Sequence, residues 1–279
     1  MEIKKIKQDD RKFIFEISGI NEIEANTLRR SIIAETPVMA ITEVEISKND
    51  SALYDEILSH RLGLVPIKTD SKSYNLKERC TCKGKGCAKC QTTLSLEVKG
   101  PKTIYTSELK SKDPEVKSVF DNIPIVKLTG EQEIKLVATI ELGKGKDHMK
   151  FSPGLVVYKH KPKIKLNNDS KLIEKYKNIL PEKSLKGNKL DENSILDNNL
   201  YEAIDSISQE LIKIEYSKGE FIFTIEPFGQ LEPKEMLTNA INELDYKLDE
   251  FSKKLGSSKK KTIKKILKKW KQISTNKTS

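Results

Sequence analysis

Asp55-Glu56-Ile57-Leu58-Ser59-His60-Arg61-Leu62-Gly63-Leu64-Val65-Pro66-Ile67 opens on two carboxylates and closes on a glycine and a proline. Carboxylates in a first turn face the positive end of a helix dipole. A glycine readily ends a helix, and a proline just beyond cannot continue it. The stretch predicts a helix from about Leu53 to Leu62 that stops at Gly63. Upstream, Val38–Ser47 predicts a strand with Met39, Ile41, Val44 and Ile46 as its apolar positions. Before it, Ala25, Leu28, Ile32 and Ile33 recur at helical spacing, with Glu22 and Glu24 in the first turn and Pro37 forcing an end after Glu35. Earlier still, Phe13, Phe15 and Ile17 alternate with Lys12, Ile14 and Glu16, the pattern of a strand, and Ser18-Gly19 forms a turn. Helices and strands succeed one another, which places the chain in the α+β class.

Downstream, strands are expected at Thr92–Lys99, Lys102–Thr106, Ile134–Leu142 and Leu155–His160, punctuated by Pro101, Gly130, Gly143 and Pro153. Residues 163–199 are polar and rich in Asn, Lys and Asp, and form an insertion or a small subdomain. A helix is expected over Leu200–Ile214, then a strand over Glu220–Glu226 with Phe221, Phe223 and Ile225 on one face. After Pro233, Leu237, Ile241, Leu244, Leu248, Phe251 and Leu255 are spaced alternately four and three apart. That spacing keeps one narrow apolar stripe on a single side of a helix. The stripe is too short for a free coiled coil; on spacing alone, another subunit and the chain's own sheet are equally good covers.

The 279 residues carry 51 Lys and Arg against 41 Asp and Glu, a formal charge of +10. The excess is local. Residues 253–279 hold eleven lysines and no acid, which leaves 40 basic against 41 acidic residues in the rest, a net of −1. Bulk charge therefore argues for a polyanionic partner only in the tail, not in the folded body. Within the tail, Ile263, Ile266, Leu267, Trp270 and Ile273 fall at helical spacing, a basic amphipathic pattern. Lys259, Lys260, Lys264, Lys268 and Trp270 are its candidate nucleic-acid contacts; an acidic protein neighbour and a solvated end are the other readings. No window reaches the length of a membrane span, and the first residues lack the apolar region of a secretory signal, so a cytoplasmic, reducing setting is expected.

In that setting Cys80, Cys82, Cys87 and Cys90, the only cysteines, are metal ligands before they are disulfides. Four thiolates can enclose a tetrahedral ion only if small residues let the chain double back, and Gly84, Gly86 and Ala88 lie among them. Lys83, Lys85 and Lys89 offset the charge of a zinc tetrathiolate. A structural zinc is expected, because four sulfurs leave no open position and the spacing matches no common ferredoxin pattern. Catalytic candidates fail one by one. His60, His148 and His160 sit in no metal or nucleophile motif, Gly143-Lys144-Gly145-Lys146 lacks the phosphate-loop frame and suits a lysine-rich β-turn, and Asp55-Glu56 is explained by the helix dipole.

Several runs together resemble a known family. Asn26-Thr27-Leu28-Arg29-Arg30, Glu35-Thr36-Pro37-Val38-Met39-Ala40 and the 55–67 run are similar to the N-terminal motifs of the archaeal RNA polymerase D subunit, the counterpart of the bacterial alpha subunit's N-terminal domain and of the third-largest subunit of eukaryotic polymerase II. The Cys80–Cys90 knuckle resembles the eukaryotic counterpart's zinc loop, and Phe221–Glu226 with Phe228-Gly229-Gln230-Leu231 resembles the family's return strand before its last helix. The resemblance covers residues 1–110 and 200–255 well and the middle loosely.

It implies a discontinuous dimerisation domain of sheet plus helices (1–67 and 206–255), ending in a long C-terminal helix. Between the two parts it implies an inserted β-rich domain (68–205) with the Cys loop at 80–90, and a basic tail follows (256–279). It implies an interface with subunit L through Leu28, Arg29, Ile32, Leu58, His60, Arg61, Leu62, Leu237, Ile241, Leu244, Leu248 and Phe251, which assigns the apolar stripe to a partner. It further implies a non-catalytic assembly role: the heterodimer seats subunits N and P and nucleates assembly of the large catalytic subunits. Catalytic magnesium belongs to the largest of these. DNA and RNA are met only in the assembled enzyme, and no membrane or small-molecule substrate is involved. Many family members carry an iron–sulfur cluster about where residues 163–205 lie; that stretch has no cysteine here, so no cluster is expected. The rival reading is a free-standing zinc-containing nucleic-acid-binding protein acting through its lysine tail.

Overall fold

A computed structural model describes residues 1–9 and 11–255. The expected basic helix of the tail, with Lys259, Lys260, Lys264, Lys268 and Trp270, lies outside the described residues. The chain begins with β1 (Glu2–Gln8), β2 (Phe13–Ser18), α1 (Glu22–Glu35), β3 (Pro37–Asn49) and α2 (Asp55–Gly63). It continues through β4 (Gln91–Lys99), β5 (Lys102–Tyr105), β6 (Lys110–Ser111), β7 (Pro124–Leu128), β8 (Glu133–Lys144) and β9 (Gly154–Leu166). Then come α3 (Ser170–Tyr176), β10 (Leu185–Lys186), β11 (Lys189–Leu190), α4 (Glu192–Asp197), α5 (Tyr201–Ile207), β12 (Ile212–Pro227) and α6 (Pro233–Lys254).

The alternating aromatics build the first sheet, ordered β1-β2-β12-β9 and antiparallel throughout. Register sets Phe15 opposite Phe223 and Ile17 opposite Phe221, and the Phe15 and Phe223 rings stack at 5.4 Å. One face of this sheet is covered by α1 through Ala25, Leu28 and Ile32 and by α6 through Met236, Ala240 and Ile241. Asn21 caps α1: its side chain accepts from the Glu24 amide while Glu24 accepts from the Asn21 amide, at 2.9 and 3.0 Å. Asn21→Ala should therefore cost about 1 kcal/mol in urea unfolding, the usual loss of an N-cap. The edge strand β1 is exposed and lysine-rich, a composition that discourages edge-to-edge pairing.

The second sheet is ordered β3-β8-β4-β6, with β5 and β7 paired beside it. Its core holds Met39, Ile41, Leu94, Leu136 and Ile140, closed by Leu58 and Leu62 of α2. Strand β3 serves both cores. Successive side chains of a strand point to opposite faces, so Val38 and Ala40 enter the first core while Met39 and Ile41 enter the second.

Two expectations on chain division need correction. A break between residues 67 and 68 cuts through the second core, because α2 closes that core and not the first. The strand expected at Leu155–His160 is part of β9 and pairs with β12 in the first sheet, so it does not belong with the inserted strands. An amphipathic pattern shows that a face is covered, not which sheet covers it. Strands β9 and β12 also run well past the first sheet, to Leu166 and back from Ile212, across an irregularity between Tyr216 and Phe221. At their far end a third core forms around Ile164, Ile173, Leu190, Ile195, Ile204 and Leu211. The polar segment 163–199 therefore folds around its own small apolar centre. The helix expected over Leu200–Ile214 ends at Ile207, where Ser208 is extended and β12 soon begins. Among the described residues, no helix is long and apolar enough to cross a membrane.

Candidate metal centre and docking face

Between Leu76 and Gln91 the chain has almost no apolar side chain, so packing cannot shape it. A 3-10 turn at Lys77–Arg79 leads into Cys80, and Lys83, Gly84 and Gly86 all take positive φ, at 55°, 82° and 87°. These bends fold the two halves of the loop onto each other. Gly86 suits its φ of 87°, a left-handed conformation that L side chains rarely adopt. The result brings the four Sγ atoms within 4.8 Å of one another. Cys80 to Cys87 is 3.5 Å, Cys82 to Cys90 is 3.7 Å and Cys87 to Cys90 is 3.8 Å. A tetrahedron with metal–sulfur bonds of about 2.3 Å has edges of about 3.8 Å, so the cluster fits a tetrahedral ion bound by four thiolates.

Desolvation opposes the Cys82 thiolate, but hydrogen bonds from the Cys80 thiol, the Gly86 amide and the Cys90 and Cys87 thiols outweigh it and lower its pKa to about 6. Burial first, then the sulfur neighbours, push the Cys90 thiol up to about 12. Of this pair the Cys82 sulfur ionises readily and the Cys90 sulfur resists it.

Directly before the first ligand, Arg79 leaves the loop and grips α6. Its Nη1 and Nη2 donate to Glu243 Oε1 and Oε2, both at 2.7 Å, and its guanidinium lies 3.8 Å from the centre of the Tyr246 ring. Lys144, 5% exposed, donates to the same Glu243 carboxylate at 2.6 Å and lies 3.5 Å from Glu35 at the end of α1. Lys247 of α6 donates to Glu35 as well. Lys144 is thus no turn lysine: β8 continues to it, and at Gly145 behind it a Cβ would lie 2.3 Å from the Ile33 carbonyl oxygen, so glycine lets the end of α1 pass close by. Nothing in the spacing of these five charges along the chain signalled that they meet.

Burial disfavours the Glu243 carboxylate, yet the Arg79 and Lys144 hydrogen bonds prevail and hold its pKa below the ordinary value. A carboxyl lowered on folding contributes stability that is present above its unfolded pKa and lost as pH falls through the folded one. The stability difference between the wild type and Glu243→Gln should therefore be constant near neutral pH and shrink below the ordinary carboxylate range. Thermal unfolding midpoints across that range measure it.

The residues expected at a subunit interface divide into two groups. Leu28, Ile32, Leu58, Leu62 and Ile241 are at most 1% exposed and lie in the chain's own cores. Leu237 and Leu244 pack, half-buried, against the first core. Arg61 is spent within the chain: its Nε and Nη2 donate to the carbonyls of Ile125 and Pro124 at 2.9 and 2.8 Å. Arg29 is held by Asn26 Oδ1 at 3.2 and 3.0 Å. His60 is exposed. The apolar stripe of α6 does not end where the core does: Leu248 is half-buried, Phe251 is 55% exposed and Leu255 39% exposed. Beside these turns, a groove of about 560 Å³ runs between α1 and α6, lined by Ile23, Asn26, Thr27, Arg30, Leu244 and Lys247. Ile23, on its rim, is 77% exposed, and neither it nor Tyr54, at 80%, was singled out by sequence spacing.

A family model described as the RNA polymerase Rpb3/RpoA insert domain matches residues 44–154, the stretch from within β3 to the first residue of β9. The DNA-directed RNA polymerase subunit Rpo3 of Methanosphaera stadtmanae is 34% identical over 264 residues, covering 89% of this chain and 96% of that protein. The subunit Rpo3 of Thermococcus kodakarensis is 36% identical over 253 residues, covering 89% and 95%. That of Pyrococcus furiosus is 34% identical over 259 residues, covering 91% and 96%.

Proposed function

The chain belongs to the family of DNA-directed RNA polymerase subunit Rpo3, the archaeal D subunit, and from that membership we propose that it is a non-catalytic assembly subunit of the polymerase. Its partner in the first step of assembly is subunit L, taken up along α6 and the α1 groove. The observation that carries this is the stripe of α6, which runs on through Leu248, Phe251 and Leu255 after the chain's own core has stopped covering it. An apolar helix face left open beside a groove is what a helix of another subunit covers. The heterodimer then seats subunits N and P and offers a platform for the large catalytic subunits.

The Cys80–Cys90 loop supports a structural zinc within this reading. Four thiolates in a tetrahedron suit zinc and leave it no open coordination position, so the ion organises the loop and takes no part in chemistry. The third core, without a single cysteine, holds no iron–sulfur cluster.

Co-expression of the full chain with subunit L tests the dimer. A 1:1 complex on size-exclusion chromatography and native mass spectrometry is expected. A well-behaved monomer that ignores subunit L would refute the proposal.

A further inference from the structure

We propose that Arg79 is a strut through which the metal-loaded Cys loop fixes the second half of α6, so that zinc occupancy sets how firmly the open turns of α6 are held. The inference rests on the zinc reading of the loop and goes beyond it, by giving the ion a mechanical effect on a distant helix.

From Lys77 to Cys90 only Ala88 and the cysteines themselves are apolar, and the backbone hydrogen bonds inside the loop are those of short turns. Such a segment has no core to keep it ordered, and a metal cross-link is the strongest constraint available to it. Cys80 is the first ligand and Arg79 is its neighbour, at the end of the 3-10 turn. Closing the tetrathiolate ties Cys80 to Cys87 and Cys90, and Cys90 adjoins β4 of the second sheet. The position of the Arg79 backbone is thereby referred to that sheet.

From that anchor the side chain crosses to α6. The Glu243 contact is a paired fork, with both guanidinium nitrogens on both carboxylate oxygens, and the flat face of the same group lies on Tyr246 one turn later. A planar fork that pairs and stacks at once fixes direction as well as distance, which an ammonium cannot do. Glu243 is itself buried and shared with Lys144 at the end of β8. Losing Arg79 leaves that carboxylate one partner in place of two. Tyr246 and Lys247 lie on the turn that precedes Leu248 and Phe251. Before Tyr246, α6 is held by the first core; after it, the stripe is open. Arg79 therefore acts at the junction, where added order has most effect on the open turns.

Amide hydrogen exchange on the full-length chain tests this, with zinc content measured in parallel. In the zinc-loaded wild type, residues 239–251 should exchange slowly. Chelating the zinc, and separately Arg79→Ala with zinc bound, should each speed exchange there by about tenfold, while α1 and β12 keep their protection. Chelation should add nothing further at residues 239–251 in Arg79→Ala. The chelated wild type gives its answer without any substitution, so a variant that folds poorly does not decide the matter. A chain that binds one zinc yet shows unchanged exchange at residues 239–251 after chelation overturns the strut and leaves the zinc reading intact. A chain that takes up no zinc overturns both.

Discussion

Leu248→Asp combined with Phe251→Asp should abolish the stable complex with subunit L while leaving the chain's own stability nearly unchanged. Phe251 is 55% exposed and Leu248 half-buried, so little of the fold depends on them. In a complex both side chains would be enclosed, and truncating an enclosed apolar anchor commonly costs about 2 kcal/mol or more. Two anchors replaced by carboxylates, each of which must be desolvated, put the loss at roughly 4 kcal/mol, about a thousandfold in affinity. The contrasting substitution is Ile32→Ala. Ile32 is 0% exposed and lies in the first core, so its loss should lower unfolding stability by roughly 2–5 kcal/mol through a cavity. Titration of subunit L monitored by calorimetry, beside urea unfolding of each variant alone, separates the two effects. Unchanged binding by the double aspartate variant would remove α6 from the interface.

The second large effect is expected at the metal loop. Cys87→Ser with Cys90→Ser should take zinc content from about one equivalent to none. Structural zinc sites in small peptides contribute on the order of 10 kcal/mol to folding, because without the ion those peptides do not fold at all. Here that figure is an upper bound, since the three hydrophobic cores exist independently of the loop. The loss should therefore leave the cores intact: residues 77–90 become open to proteolysis and the turns of α6 that Arg79 holds loosen, while the far-ultraviolet circular dichroism spectrum keeps most of its amplitude. Zinc retained by the double serine variant would mean that other groups hold it.

Much of the frame was legible from the residue pattern alone. Phe13, Phe15 and Ile17, and Phe221, Phe223 and Ile225, mark their strands by alternation, and they pair with each other in the first sheet. Pro37 ends α1 after Glu35, as its missing amide requires. The four cysteines announced their cluster because thiolates at such short spacing have few other uses, and the structure gathers them. What the pattern could not show is which surface covers which face. Leu28, Ile32, Leu58, Leu62 and Ile241 carry the signature of an amphipathic helix whether a partner or the chain's own sheet covers them, and here the chain does. The same limit hid the double duty of β3, whose odd and even residues enter different cores.

Sparse patterns failed for a different reason. In residues 163–199 the apolar side chains are isolated, and Ile173 and Ile195 gain a core only when β9 and β12 bring Ile164 and Ile212 beside them. The ion cluster of Glu35, Arg79, Lys144, Glu243 and Lys247 was invisible because charged residues are ordinarily solvated. Their meeting depends on elements far apart in sequence.

Purification of the tagged, full-length protein from its own cells, with every co-purifying chain identified by mass spectrometry, tests the assembly role most directly. The account predicts stoichiometric recovery of subunit L and the large catalytic subunits, in a fraction that synthesises RNA from a DNA template. Recovery of the protein alone, or with partners that include no polymerase subunit, would contradict it.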